Sequence, residues 1–144
     1  MIIVTVGSTH FDPLIKKIDQ LVEEKIITDN VICQIGNGEY QPKFCKFYRF
    51  NPDIAEDFKL ADLVISHGGA TVLQIIKMNK PIIAIANTAL QDDHQTLFLR
   101  QLNKHYPIRW SNDLSVLPDL LHQPEIVEKK LDNTNDIAFK ILQF

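Results

Sequence analysis

The chain has 144 residues, enough for one well-buried core and too few for a second domain. Its apolar share of 45% and charged share of 23% are those of a globular protein, while a net charge of −3 speaks against a nucleic-acid partner, which would demand a basic excess. No apolar run approaches the roughly 20 residues of a membrane span, and Met1 to Val6 lacks the basic start of a signal peptide, so a cytoplasmic protein of one domain, 1–144, is expected.

Ile2 to Val6 is apolar without polar alternation, the pattern of a parallel strand buried on both faces. Asp12 and Pro13 supply a helix cap and a first-turn residue, and Leu14, Ile15, Ile18, Leu21 and Val22 follow at helical spacing. Val31 to Ile35 reads as a second strand closed by Gly36-Asn37-Gly38, and Phe44 to Phe50 as a third ended by Asn51-Pro52. Cys33 and Cys45 fall inside these strands and read as core or half-buried thiols. A short helix, Asp53 to Leu60, leads into the strand Leu63-Val64-Ile65, and the loop His67-Gly68-Gly69 opens a helix running to Met78. Pro81 starts a strand, Ile82 to Ala86; a helix from Asp93 to Lys104 and a short strand from Ile108 to Trp110 follow. Two helical stretches remain, Leu114 to His122 and Pro124 to Leu142, the second interrupted by Asn133-Thr134-Asn135. Strands alternating with helices predict a Rossmann-like α/β fold: a doubly wound parallel sheet with right-handed crossovers, in a 3-2-1-4-5 order.

In such a sheet ligands bind beyond the carboxyl ends of the strands, where strand order reverses. The unusual residues lie there: Gly7-Ser8-Thr9-His10 after the first strand, His67-Gly68-Gly69-Ala70-Thr71 after the fourth, Asn87 to Gln95 after the fifth. The first two loops would face one another across one crevice, each ahead of a helix, an arrangement suited to a phosphate or diphosphate. There is no G-x-G-x-x-G fingerprint and no Walker lysine, so neither a dinucleotide motif nor a P-loop is present. Gly7 alone would say little, whereas adjacent Gly68 and Gly69 would let a ligand come close to the backbone. His67 alone would read as a satisfied histidine at a strand end; beside those glycines it reads as a phosphate contact. Asp92-Asp93-His94 does not form a metal motif, because adjacent positions at a helix start point apart.

Ala61-Asp62-Leu63-Val64-Ile65-Ser66-His67-Gly68-Gly69-Ala70-Thr71-Val72-Leu73-Gln74, Lys80-Pro81-Ile82-Ile83 and Asp92-Asp93-His94-Gln95 together resemble the C-terminal domain of family 28 glycosyltransferases, which are GT-B enzymes. The start, Val4 to Thr9 with Phe11-Asp12-Pro13-Leu14-Ile15, is closer to a subgroup of half-enzymes. These are the sugar-nucleotide subunit of the dolichol-linked N-acetylglucosaminyltransferase and its bacterial counterparts in exopolysaccharide synthesis. The resemblance runs from Met1 to about Leu102.

It implies a UDP-sugar donor whose diphosphate is received by Gly7, Ser8 and Thr9 and by His67, Gly68 and Gly69, with Ala70 and Thr71 also in the nucleotide-sugar site. Phe50 and Asn51 would border the uracil through their backbone. Gln74, one turn from Thr71, stands where a carboxylate grips the ribose, and an amide there forgoes a charge-assisted bond. Asp93 and Gln95 would hold the sugar hydroxyls, although Asp93 reads equally as a helix N-cap. Phe98 stands where a small polar residue is common, which would alter the sugar pocket. No metal or other cofactor is implied. The implied reaction moves a hexose-type sugar to a lipid-linked acceptor, in polysaccharide or glycolipid synthesis. No general base is legible in the chain, so base and acceptor site would belong to a membrane-anchored partner subunit. The alternative is a stand-alone, non-catalytic nucleotide-sugar-binding module. The stripe Val127, Leu131, Ala138, Ile141, Leu142 and Phe144 would either close the domain's own core or dock that partner.

Overall fold

The computed structural model describes residues 1–124. Six strands, β1 (Ile2–Thr5), β2 (Val31–Gln34), β3 (Lys46–Tyr48), β4 (Leu63–His67), β5 (Ile82–Ile85) and β6 (Arg109–Ser111), form one parallel sheet in the order β3-β2-β1-β4-β5-β6. The helices are α1 (Asp12–Glu23), α2 (Ile54–Leu60), α3 (Thr71–Lys77), α4 (His94–His105) and α5 (Leu117–His122). The expected 3-2-1-4-5 order holds, with β6 added beyond β5. The helical stretch expected after Pro124, with its apolar stripe, lies outside the described residues.

All four residues of β1 and of β5 are buried, because both faces of the sheet are covered. Side chains alternate between two cores. Ile2, Val4, Cys33, Ile65 and Ile83 pack with α1 and α5 on one face; Ile3, Val64, Ile82 and Ala84 pack with α2, α3 and α4 on the other. Each fully buried Val, Leu or Ile side chain contributes about 1.5 to 3 kcal/mol, and these residues, which make up most of the buried core, are what hold elements this short in place.

Four local expectations are corrected. The third strand is three residues long, not Phe44 to Phe50. It is an edge strand paired only with β2, and Phe44, Phe47 and Phe50 are exposed at 50%, 38% and 65%; strand propensity was present without a partner on the outer side. Cys45 therefore precedes the strand, half-buried, while Cys33 is fully buried. Asp12 does not cap α1. Phe11 occupies the N-cap position with no side-chain bond, and the Asp12 carboxylate instead accepts from the amides of Glu39 and Tyr40, pinning the loop after β2. Finally, Leu114 to His122 is a 3-10 turn, Leu114–Val116, followed by α5.

Candidate functional site

β1 and β4 are neighbours from which the chain winds outward in opposite directions, so their carboxyl ends border the crevice predicted for this topology. A cleft of about 200 Å³ opens there, beside the ends of β1 and β2 and against α2 and α3. Gly7, Ser8, Phe50, Asn51, Thr71 and Gln74, from three separate parts of the sequence, all line it. Gly7 has a left-handed backbone, φ 67°, which a glycine adopts without strain and which turns the chain away from β1. Thr71 opens α3, and Gln74, one turn on, is exposed to the cleft. The Asn51 side chain is engaged: its amide donates to Asp57 at 3.0 Å and its oxygen accepts from the Asp53 amide at 2.9 Å. What Asn51 can offer a ligand is therefore backbone. Tyr48 also donates to Asp57, at 2.6 Å, and burial together with that carboxylate raises the Tyr48 phenol pKa well above its ordinary value.

Five further residues complete the lining and had not been singled out: Thr5, Gln34, Pro52, Ile54 and Phe58. Thr5 and Gln34 are adjacent in register, and both are buried at the strand ends. Thr5 Oγ1 accepts from the Gly7 amide at 3.1 Å, and Gln34 Nε2 donates to the Gly7 carbonyl at 2.8 Å, so the two strand ends hold the turn from both sides. Polar residues closing otherwise apolar strands were the legible cue. The lining contains no Asp, Glu, His, Lys or Arg.

Other expected residues are placed differently. Thr9 donates its hydroxyl to the Val6 carbonyl, and its own carbonyl accepts from the Asn37 amide, which ties it to the loop after β2. The Gly68 amide, expected to meet phosphate, donates instead to Gln95 Oε1 at 2.8 Å. A Cβ at Gly68 would lie 2.8 Å from Leu99 Cδ1 and 3.1 Å from Gln95 Cβ, so this glycine lets α4 pack closely against the loop. A Cβ at Gly69 would collide with His67 Cε1, so that glycine makes room for the imidazole. Ala70 sits exposed at the N-cap of α3.

Asp93 stands at the N-cap of α4 in a left-handed conformation, φ 50°, and makes no capping bond to the backbone; its carboxylate accepts from the Thr96 hydroxyl at 2.7 Å. Gln95 is buried with its amide turned inward, and its oxygen accepts from the amides of Gly68 and Asn87. The Gln95 oxygen, in a residue expected to hold the sugar, here joins the loops after β4 and β5.

His67 ends β4 and is 9% exposed. Burial alone holds its pKa below the ordinary value, which keeps the ring neutral near pH 7. Nδ1 lies 3.2 Å from Gln95 Nε2, while Nε2 is buried without a hydrogen-bond partner.

A parallel doubly wound sheet with a ligand-sized cleft at its switch point defines a Rossmann-like α/β domain. The chain matches the glycosyltransferase family 28 C-terminal domain over residues 1–133 and belongs to that family. The match reaches beyond Leu102, where the legible resemblance stopped. The chain is 36% identical over 115 residues to the Homo sapiens UDP-N-acetylglucosamine transferase subunit ALG13, and 34% identical over 113 residues to that of Mus musculus. These matches cover 72% and 70% of this chain and 10% of each relative, so the chain spans about a tenth of their length. An NMR solution structure of ALG13 superposes with a TM-score of 0.62 at 19% identity, covering 98% of this chain and 93% of that one. A crystal structure of Acinetobacter baumannii MurG superposes with the same score and identity, covering 99% and 44%. Both share the fold.

Proposed function

We propose that this chain binds a UDP-sugar and acts as the donor subunit of a two-component glycosyltransferase, delivering a hexose-type sugar to a lipid-linked acceptor in polysaccharide or glycolipid synthesis. The observation that carries the reading is the convergence of Gly7, Ser8, Phe50, Asn51, Thr71 and Gln74 on one cleft at the switch point. The uracil lies along the Phe50–Asn51 backbone, Gln74 meets the ribose, and the diphosphate sits between the loops after β1 and β4. Departure of UDP builds negative charge on the β-phosphate; fixed donors around these loops, including His67, stabilise it. Family membership and the two relatives named as UDP-N-acetylglucosamine transferase subunits support the donor class.

Two features favour a second subunit. A base must take the acceptor's proton, and no titratable side chain lines the cleft. Among the described residues, no helix is long and apolar enough to cross a membrane and so meet a lipid acceptor. Base and acceptor site then belong to a membrane-anchored partner, with this chain on the cytoplasmic face. The uncharged lining also favours the alternative of a non-catalytic nucleotide-sugar-binding module.

Calorimetric titration with UDP, UDP-N-acetylglucosamine, UDP-glucose and UDP-glucuronate tests the donor role, and the expected result is binding that persists in chelator. Transfer is expected only when the partner is added. No binding of any of the four would overturn the reading. Binding with no transfer in any partner's presence would favour the module, and transfer by this chain alone would overturn the two-subunit scheme.

A further inference from the structure

The buried pair of His67 and Gln95 has an orientation that the surrounding backbone dictates. Gln95 Oε1 accepts from two main-chain amides, Gly68 N and Asn87 N, each at 2.8 Å. A backbone N–H can only donate, so the carboxamide cannot be turned over without setting its NH2 group against both. Nε2 of Gln95 therefore faces His67 Nδ1 as a donor, at 3.2 Å, and Nδ1 must present a lone pair. A neutral imidazole in that state carries its proton on Nε2. That N–H is buried, has no partner, and is roofed by the two glycine loops: a Cβ at Gly7 would stand 2.9 Å from Nε2, and one at Gly69 3.2 Å.

We propose that Gln95 is a positioning residue, holding His67 in the tautomer protonated on Nε2 so that the site offers a hydrogen-bond donor, not a lone pair, to a diphosphate entering between the Gly7 and Gly69 loops. This rests on the donor-binding function above. An unsatisfied buried donor is costly to a protein, and an anionic oxygen is the strongest acceptor that could meet it. The same amide joins the loops after β4 and β5, so the donor's direction and the loop that carries it are set together. Gln95 then acts on the diphosphate through His67.

The ring's surroundings make the arrangement testable. Gly7 faces it from the β1 loop, Gly69 from its own loop and Gln95 from α4, and no charged group contributes to its pKa shift. Ring 15N spectra of the full chain are expected to show His67 with a protonated Nε2 and an unprotonated Nδ1. UDP should shift the Nε2 resonance, and uridine should not. Gln95→Glu keeps an acceptor for Gly68 N and Asn87 N but replaces the donor with an oxygen, which draws a proton onto Nδ1 and leaves a lone pair on Nε2. At about pH 8.5 the UDP-to-uridine affinity ratio of this variant should fall roughly tenfold below that of the native protein. It should recover toward about pH 6, as the ring becomes doubly protonated. The native protein measured in parallel cancels the titration of UDP itself.

A purely structural Gln95 would lower thermal stability and leave that ratio, and its pH dependence, unchanged; that outcome overturns the proposal. A proton found on Nδ1 of the native protein overturns it independently of any ligand. Failure of UDP to bind, with the tautomer as expected, would instead count against the donor-binding function. Should Gln95→Glu fail to fold, the native tautomer and the UDP-dependent Nε2 shift still decide.

Discussion

Gln34 Nε2 donates to the Gly7 carbonyl at 2.8 Å, so the last residue of β2 holds the turn that ends β1. The bond spans 27 residues of sequence and sits on the cleft wall. Gln34 Oε1, in the same buried side chain, has no hydrogen-bond partner. Gln34→Leu removes the tether and the unsatisfied acceptor together, at similar volume. The fold should survive with a stability change within about 1 kcal/mol, since the two losses offset. UDP affinity should drop several-fold as the Gly7 turn loosens. Equal affinity by calorimetry would show that the turn does not depend on Gln34.

Gln74→Glu places a carboxylate on an exposed position of α3 at the cleft. Charge assistance should strengthen ribose recognition by about 1 kcal/mol, near fivefold in Kd, with little change in melting temperature. An unchanged Kd for UDP, with Gln74 resonances unmoved by ligand, would remove this residue from the site.

Gly69→Val should disturb the fold as well as the ligand, because the new Cβ would collide with the buried His67 ring. A loss of about 1 to 3 kcal/mol is expected from overpacking, along with loss of UDP binding as the ring is displaced. Gly69→Ala isolates the first effect. If denaturant unfolding of Gly69→Ala matched the native protein, the close packing of loop and imidazole would be wrong.

Asp19 provides a pH prediction away from the cleft. The residue is 2% exposed, and it accepts from the Tyr40 hydroxyl at 2.5 Å and from the amides of Lys43 and Phe44 at 2.9 and 2.8 Å. Burial pushes its carboxyl up, but these bonds and Cys45 outweigh burial and hold the pKa below the ordinary value of 3.8. A pKa lower in the folded than in the unfolded state stabilises the protein above the unfolded value. That contribution vanishes as pH falls through the folded value, so the Asp19 part of the stability should be complete above roughly pH 5 and decline in strong acid. Asp19→Asn should cost about 2 to 4 kcal/mol at neutral pH, because its NH2 group would oppose donors. Its unfolding free energy should also lose the Asp19 part of the acid dependence. Parallel acid profiles for the variant and native protein would refute this.

The sequence alone carried the architecture. Apolar runs such as Ile2 to Val6 and Ile82 to Ala86, unbroken by polar alternation, can be satisfied only in a sheet covered on both faces. The helical spacing between them leaves parallel crossovers as the connection, and the switch-point rule then marks the loops after β1 and β4. Gly7, Ser8 and Thr71 were legible for that reason, being a glycine and two hydroxyls just past apolar strands, whereas Phe50, Asn51 and Gln74 followed only from the family resemblance.

What sequence could not decide is where a polar side chain spends its hydrogen bonds, because that depends on partners distant in the chain. Asp12 had every mark of a helix cap, yet its carboxylate meets amides 27 and 28 residues away. Gln95 sat in a sugar-binding motif, and tertiary packing turned its oxygen onto Gly68 and Asn87. Gln34 carried no motif and became the support of Gly7. The length of β3 was undecided for the same reason: a strand extends only as far as a neighbour pairs with it, and at the sheet's edge β2 offers one side alone. Local pattern determines which elements form; the close packing of those elements decides which donor faces which acceptor, and so which residues remain available to a ligand.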